Sequence, residues 1–128
     1  MARLYLMVGG LCGLLSIALG AFGAHALENR LSEAALATYH TGVQYQMYHA
    51  LALILLALLA ASGRVKAGRI RWAGVFFMLG IVLFCGSLYV ISLSGITTFG
   101  MIAPFGGVSF ILGWLMIAMS AGDFAKNT

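Results

Sequence analysis

Few residues in this chain could do chemistry. There are three histidines (His25, His40 and His49), two cysteines (Cys12 and Cys85) and three carboxylates in all. His49 stands alone as a readily ionisable group inside a long apolar run, residues 43–62. The histidines show no tight ligand spacing, and no carboxylate or paired thiol joins them, so metal or haem ligation is not indicated. Cys12 and Cys85 form no CxxC pair, which argues against quinone-linked thiol oxidation. Ser109, in the string Gly107-Val108-Ser109, resembles an intramembrane protease nucleophile only faintly, with His49 as the conceivable base. There is no phosphate loop or dinucleotide fingerprint. No cofactor is implied, no metal is expected, and the expectation is a protein that is not an enzyme.

The elements that must position these residues follow from composition. The chain has 128 residues, 62% hydrophobic and 8% charged. A soluble domain carries about 45–50% apolar and about 25% charged residues. Ten Asp, Glu, Lys and Arg side chains cannot cover a soluble surface of this size, so a soluble globular domain, a disordered chain and a nucleic-acid binder are excluded. What remains is an all-α polytopic membrane protein with the lipid bilayer as its surroundings. A hydrocarbon core about 30 Å thick takes about 20 helical residues to cross. Residues 4–24 carry no charge and form the first expected span, and residues 43–62 the second. No Asp, Glu, Lys or Arg occurs over residues 72–122, enough for two spans, about 73–91 and 101–120. Between them, residues 92–100 hold Gly95, Gly100 and Ser and Thr side chains that favour a turn. The whole chain, 1–128, reads as one membrane domain, a bundle of four transmembrane helices.

The apolar run at the N-terminus exceeds the usual signal-peptide core of about 7–15 residues, and more spans follow, so it is expected to be retained. Leu11 before Cys12 does not fit a lipoprotein site. Residues 25–42 form the longest polar stretch. Ser32 is a candidate N-cap with Glu33 in the first turn, opening a short, weakly amphipathic helix. That segment is expected either at the interface or as a prolongation of the second span, with Gly42 as a candidate hinge. Arg3, Arg64, Lys66, Arg69, Arg71 and Lys126 fall on one side of the bundle and only Arg30 on the other. Positively charged loops resist translocation, so both termini are expected in the cytoplasm and the protein in a bacterial inner membrane.

Lipid tails are as apolar as leucine, so helices in a bilayer associate through close backbone approach across small residues. Gly9, Gly13, Ser16, Gly20 and Gly23 step by four, three, four and three along the first span. Gly106, Ser109, Gly113 and Ser120 form a similar seam in the fourth, and both faces are expected to pack on neighbouring helices. Pro104 fits the first turn of that last helix, and Gly106-Gly107 could loosen it there.

A candidate polar pocket follows from depth. His49 lies six residues into the second expected span, roughly 9 Å by helical rise. Gln44, Tyr45, Tyr48 and His49 share a broad face, and His25, Ser87, Tyr89 and Ser109 are assigned to the same half of the bundle. Polar groups at such depth need partners or water, so His49 is expected either to tie helices together or to line an outward-facing pocket. No Asp or Glu lies inside any expected span, which counts against a proton-coupled exporter.

Several strings carry a resemblance. They are residues 19–25 (LGAFGAH), 45–49 (YQMYH), 84–89 (FCGSLY) and 104–110 (PFGGVSF), followed by Gly113-Trp114. Their order and spacing over nearly the whole chain resemble the domain-of-unknown-function family 423 of small bacterial inner-membrane proteins. The resemblance implies a four-span protein and carries over no activity. The expected function is therefore a non-enzymatic helical bundle acting through self-assembly, as a homo-oligomer, or through a membrane-protein partner. The alternative is small-molecule or ion transport or binding through a polar pocket around His49.

Overall fold

A computed structural model describes residues 1–126, so the last two residues of the expected domain lie outside the described ones. Helix α1, Ala2–Phe22, runs on through a π turn, Gly23–Leu27. Helix α2 is Glu33–Ser62. Helix α3, Ala67–Gly80, a π turn at Ile81–Cys85 and α4, Gly86–Ser94, make one rod. A 3₁₀ turn, Thr97–Met101, leads into α5, Ala103–Met119, and α6, Ala121–Lys126, closes the described chain. Four helical stretches are long and apolar enough to cross a membrane: Ala2–Leu27, Glu33–Ser62, Ala67–Ser94 and Thr97–Phe124. Each outruns the apolar run that signalled it, because helical hydrogen bonding continues into polar sequence once started.

That continuation decides the amphipathic segment. It is the first part of α2, not a separate interfacial helix. The Ser32 hydroxyl caps it, accepting from the Ala35 N–H at 3.1 Å. Gly42 does not hinge the helix, which is unbroken there. A Cβ on Gly42 would lie 2.8 Å from the Tyr89 ring, so the glycine seats that ring instead. The turns use glycine where the backbone demands it: Gly63 (φ 70°) ends α2 and Gly95 (φ 75°) ends α4, both left-handed. Pro104 occupies the first turn of α5, and the Gly106-Gly107 pair leaves that helix continuous.

The second and third spans form the middle of the bundle. The first packs on α2, and α5 packs on α3 and its π turn. The small residues of the first span line the α1–α2 contact. A Cβ on Gly9 would meet the Ala50 carbonyl at 2.8 Å, on Gly20 the Val43 side chain at 3.5 Å, and on Gly23 the Tyr39 ring at 2.6 Å. Gly13 is half-buried against Ala50 and Met47, and Ser16 is buried. Gly113 receives the Phe77 ring and Gly106 the Phe84 backbone. The tightest of these approaches, at Gly9, Gly23, Gly106 and Gly113, are to aromatic rings, backbone atoms and the Ile54 side chain, so the seams work as sockets there.

The end bearing most of the basic residues is held by Asp123, buried at 4% exposure. Its carboxylate accepts the Lys66 backbone N–H at 3.1 Å and pairs with Arg69 at 3.3 Å. Lys66 precedes α3 without a side-chain cap of its own, so Asp123 caps that helix from the other end of the chain. Asp123→Asn is expected to lower stability in detergent by about 2 kcal/mol, the range of a charge-assisted hydrogen bond. Unfolding titrations of the two proteins would show it.

Candidate functional site

Polar side chains inside the spans close on one another and on backbone carbonyls. A carbonyl already in a helix ladder keeps a second lone pair, and this bundle uses it repeatedly. The Tyr5 hydroxyl donates to the Arg71 carbonyl at 2.8 Å, joining the first and third spans. Tyr39 donates to the Leu19 carbonyl at 2.5 Å, joining the second and first. The Ser109 hydroxyl donates to the Phe76 carbonyl at 2.7 Å, joining the fourth and third.

Gln46 connects three spans. Its Nε2 donates to the Cys12 carbonyl at 2.9 Å, and its Oε1 accepts from the Tyr89 hydroxyl at 2.6 Å. Sequence reasoning selected Gln44, which is exposed, and passed over Gln46, which is buried. The available signal was the step pattern Gly42, Gln46, His49, Leu53, a stripe that turns Gln46 inward and Gln44 outward. Gln46→Leu should cost about 1 kcal/mol, since hydrogen bonds between membrane helices average about 0.6 kcal/mol and this residue makes two. Gln44→Leu should leave the unfolding curve unmoved.

His49 sits near the middle of α2, 16 residues from Glu33 and 13 from Ser62. Its Nδ1 lies 2.7 Å from the Tyr45 carbonyl, and its Nε2 is 3.0 Å from the Trp114 indole nitrogen. A carbonyl only accepts and an indole N–H only donates. The imidazole is therefore the neutral Nδ1–H tautomer, with both nitrogens engaged. Its ring stacks on Phe110 at 3.6 Å and 8°, with Phe77 tilted at 5.3 Å. Sequence reasoning missed Trp114, Phe110 and Phe77 as neighbours of His49.

The other expected pocket residues are dispersed. Ser87 donates to the Leu83 carbonyl of its own helix and faces a separate apolar hollow with Val82, Phe99 and Ile102. Tyr89 is taken by Gln46, and Ser109 bonds to Phe76 and not to His49. His25 is exposed in the π turn that ends the first span. These residues are thus engaged in separate hydrogen bonds.

What does surround His49 is a groove of about 620 Å³ between the second and fourth spans. His49 of α2, Phe84 of the π turn and, from α5, Pro104, Gly107, Val108, Phe110, Ile111 and Trp114 line it. Tyr45 and Tyr48 stand at its margin, 38% and 50% exposed. The lining is almost wholly apolar, in contrast to the polar vestibule anticipated. No buried side-chain nitrogen or oxygen among the described residues lacks a hydrogen-bond partner. No group of three or more potential metal ligands occurs among them.

Comparison with known proteins agrees with the architecture. Residues 19–107 match the family described as "Protein of unknown function (DUF423)". The UPF0382 membrane protein YwdK of Bacillus subtilis is 46% identical over 121 residues, covering 93% of this chain and 96% of the relative. The UPF0382 membrane protein SH2409 of Staphylococcus haemolyticus is 41% identical over 95% of this chain and 98% of its own. The UPF0382 inner membrane protein YgdD of Escherichia coli K12 is 38% identical over 94% of this chain and 90% of its own. No solved structure matches the chain. With the family match spanning most of the sequence, and relatives of nearly equal length aligning end to end, the chain belongs to the DUF423 family of membrane proteins.

Proposed function

We propose that this protein is a non-catalytic bundle of the bacterial inner membrane that acts by binding within the bilayer, through self-assembly or a membrane-protein partner. One observation supports the reading: every buried side-chain nitrogen and oxygen among the described residues already has a hydrogen-bond partner, in its own helix or across to another. An enzyme or proton carrier needs an acid, base or nucleophile free to react. Here the intramembrane histidine has both nitrogens occupied, and the serine nearest a protease-like string is bonded to a backbone carbonyl. Single-molecule photobleaching of labelled protein in native membranes tests the proposal. A fixed number of steps above one, or co-diffusion with one membrane protein, supports it. Freely diffusing single copies contradict it.

A second reading, binding of a small molecule beside His49, is favoured by the groove between the second and fourth spans. The ion-binding form of that reading has no support in the lining, which offers almost no ligand atoms.

Orientation follows the charges, with Arg3, Arg64, Lys66, Arg69, Arg71 and Lys126 placed in the cytoplasm. A C-terminal green fluorescent protein fusion should fluoresce, and a C-terminal alkaline phosphatase fusion should be inactive. The reverse pair would invert the topology.

A further inference from the structure

We propose that the basic end of the bundle binds anionic phospholipid of the leaflet in which it lies, with Arg3 of α1 and Arg71 of α3 as the two groups that take the phosphate. The inference is independent of self-assembly and of the groove beside His49.

The two ends of the bundle differ in charge. One end, formed by the starts of α1 and α3, the turn after α2 and the close of α6, carries Arg3, Arg64, Lys66, Arg69, Arg71 and Lys126. Its one acidic side chain, Asp123, is buried and already engaged by Arg69 and by the Lys66 backbone N–H. The opposite end holds Glu28 and Glu33 against Arg30. Arg3 and Arg71 are exposed, and neither meets a carboxylate among the described residues. A membrane-embedded end of one sign is complementary to the anionic headgroups around it.

The fold sets Arg3 and Arg71 apart from the other cations. The Tyr5 ring crosses from α1 to α3 and lies where a Cβ on Gly74 would collide with it. Its hydroxyl donates to the Arg71 carbonyl at 2.8 Å. That clasp holds the starts of the two helices together, with one arginine on each. Arg71 is four residues beyond Ala67, the first residue of α3, roughly 6 Å along the axis. A guanidinium there stands at the edge of the hydrocarbon, where it needs an anion or must bend back to water.

Below each arginine the surface is apolar. Met7 follows Arg3 and Val75 follows Arg71 by four residues, on the same face and one turn farther into the membrane, 58% and 36% exposed. Trp72, 54% exposed, stands next to Arg71, where an indole sits at headgroup level. A cation above uncovered hydrocarbon matches a phosphate head that carries acyl chains. Inorganic phosphate or a soluble polyanion would use only the cations.

The test is native mass spectrometry of the delipidated full-length protein, titrated separately with phosphatidylglycerol and with phosphatidylcholine of the same acyl chains. Each arginine beside an anionic surface contributes about fivefold in affinity, so wild type should hold phosphatidylglycerol about tenfold or more the tighter. Arg3→Gln with Arg71→Gln should abolish that preference with an unchanged unfolding curve, because the Tyr5 bond uses the Arg71 backbone and survives. Either single variant should lose about fivefold, which keeps the test open if the double variant fails to fold. Arg30→Gln, at the opposite end, should leave the preference intact. Equal retention of the two lipids by wild type overturns the inference, and so does a preference that survives both glutamines. Displacement of the lipid by inorganic phosphate, but not by chloride at the same ionic strength, would mean a site for the free anion and overturn the lipid assignment. None of these outcomes touches the self-assembly reading, because copy number and bound lipid are read from separate mass differences.

Discussion

Gly106→Leu is expected to unseat the fourth span from the third, whereas Gly107→Leu, one residue away, leaves the fold intact. The two glycines differ in what they face. A Cβ on Gly106 would lie 2.7 Å from the Phe84 Cβ and 2.8 Å from its Cα, and closer still to its backbone nitrogen. These are atoms of a helix backbone, inside a π turn, and they cannot swing away as a side chain end would. Overpacking a well-filled site costs about 1–3 kcal/mol, and here relief requires moving one whole helix off another. The upper part of that range or more is expected for leucine. The movement would also break the Ser109–Phe76 hydrogen bond and open the stack of Phe110 on His49. At Gly107 the nearest atom is a ring carbon at 3.9 Å, an ordinary contact. Steric-trap or denaturant unfolding of the two variants in lipid would measure the contrast. Equal stabilities would mean the third and fourth spans are not packed as described.

His49→Ala is the second large effect, with an expected loss of about 2 kcal/mol. The hydrogen bond to Trp114 contributes about 0.6–1.7 kcal/mol by the standard of membrane helices. The near-parallel stack on Phe110 adds about 0.5–1.5 kcal/mol. Alanine removes both and leaves the indole N–H without an acceptor, inside a region with little water to replace it. Trp114→Phe should cost less, because it keeps an aromatic body beside Phe77 and loses only the donor. The double variant separates the terms: if the pair acts as a unit, Trp114→Phe in the alanine background costs less than it does alone. Additive losses would show that His49 and Trp114 act independently.

Much of this arrangement was legible in the sequence. The four spans follow from charge-free runs, because a charged side chain in hydrocarbon needs special help and none of these runs contains one. The glycine registers of the first and fourth helices likewise point at their contacts, because Gly9, Gly23, Gly106 and Gly113 stand at helical spacing and each receives atoms of another span. His49 was recognisable as a residue in need of partners. Its partners were harder to read. A tryptophan in an apolar helix is usually taken as an interfacial anchor, and nothing local says that the Trp114 indole N–H reaches His49 while the ring stays 44% exposed. Gln44 and Gln46 differ by two positions, which on a helix is about 200° and reverses their surroundings. α2 begins ten residues before its apolar run, so counting from residue 43 does not give the place of His49 in the helix. Asp123 lies beyond the expected fourth span, and its role as a cap for α3 depends on a contact across the chain that no local pattern encodes.

The buried polar groups of this protein are all hydrogen-bonded among the described residues, several of them from one helix to another. A largely apolar groove lies beside His49 between the second and fourth spans. On this account the protein acts through what it binds and not through a reaction of its own. The most direct measurement is native mass spectrometry of protein released gently from its own membrane. The account predicts a mass above that of one bare chain, as a fixed number of copies, a stoichiometric protein partner or a retained amphiphile. A bare monomer under the gentlest release conditions, with nothing bound, would contradict it.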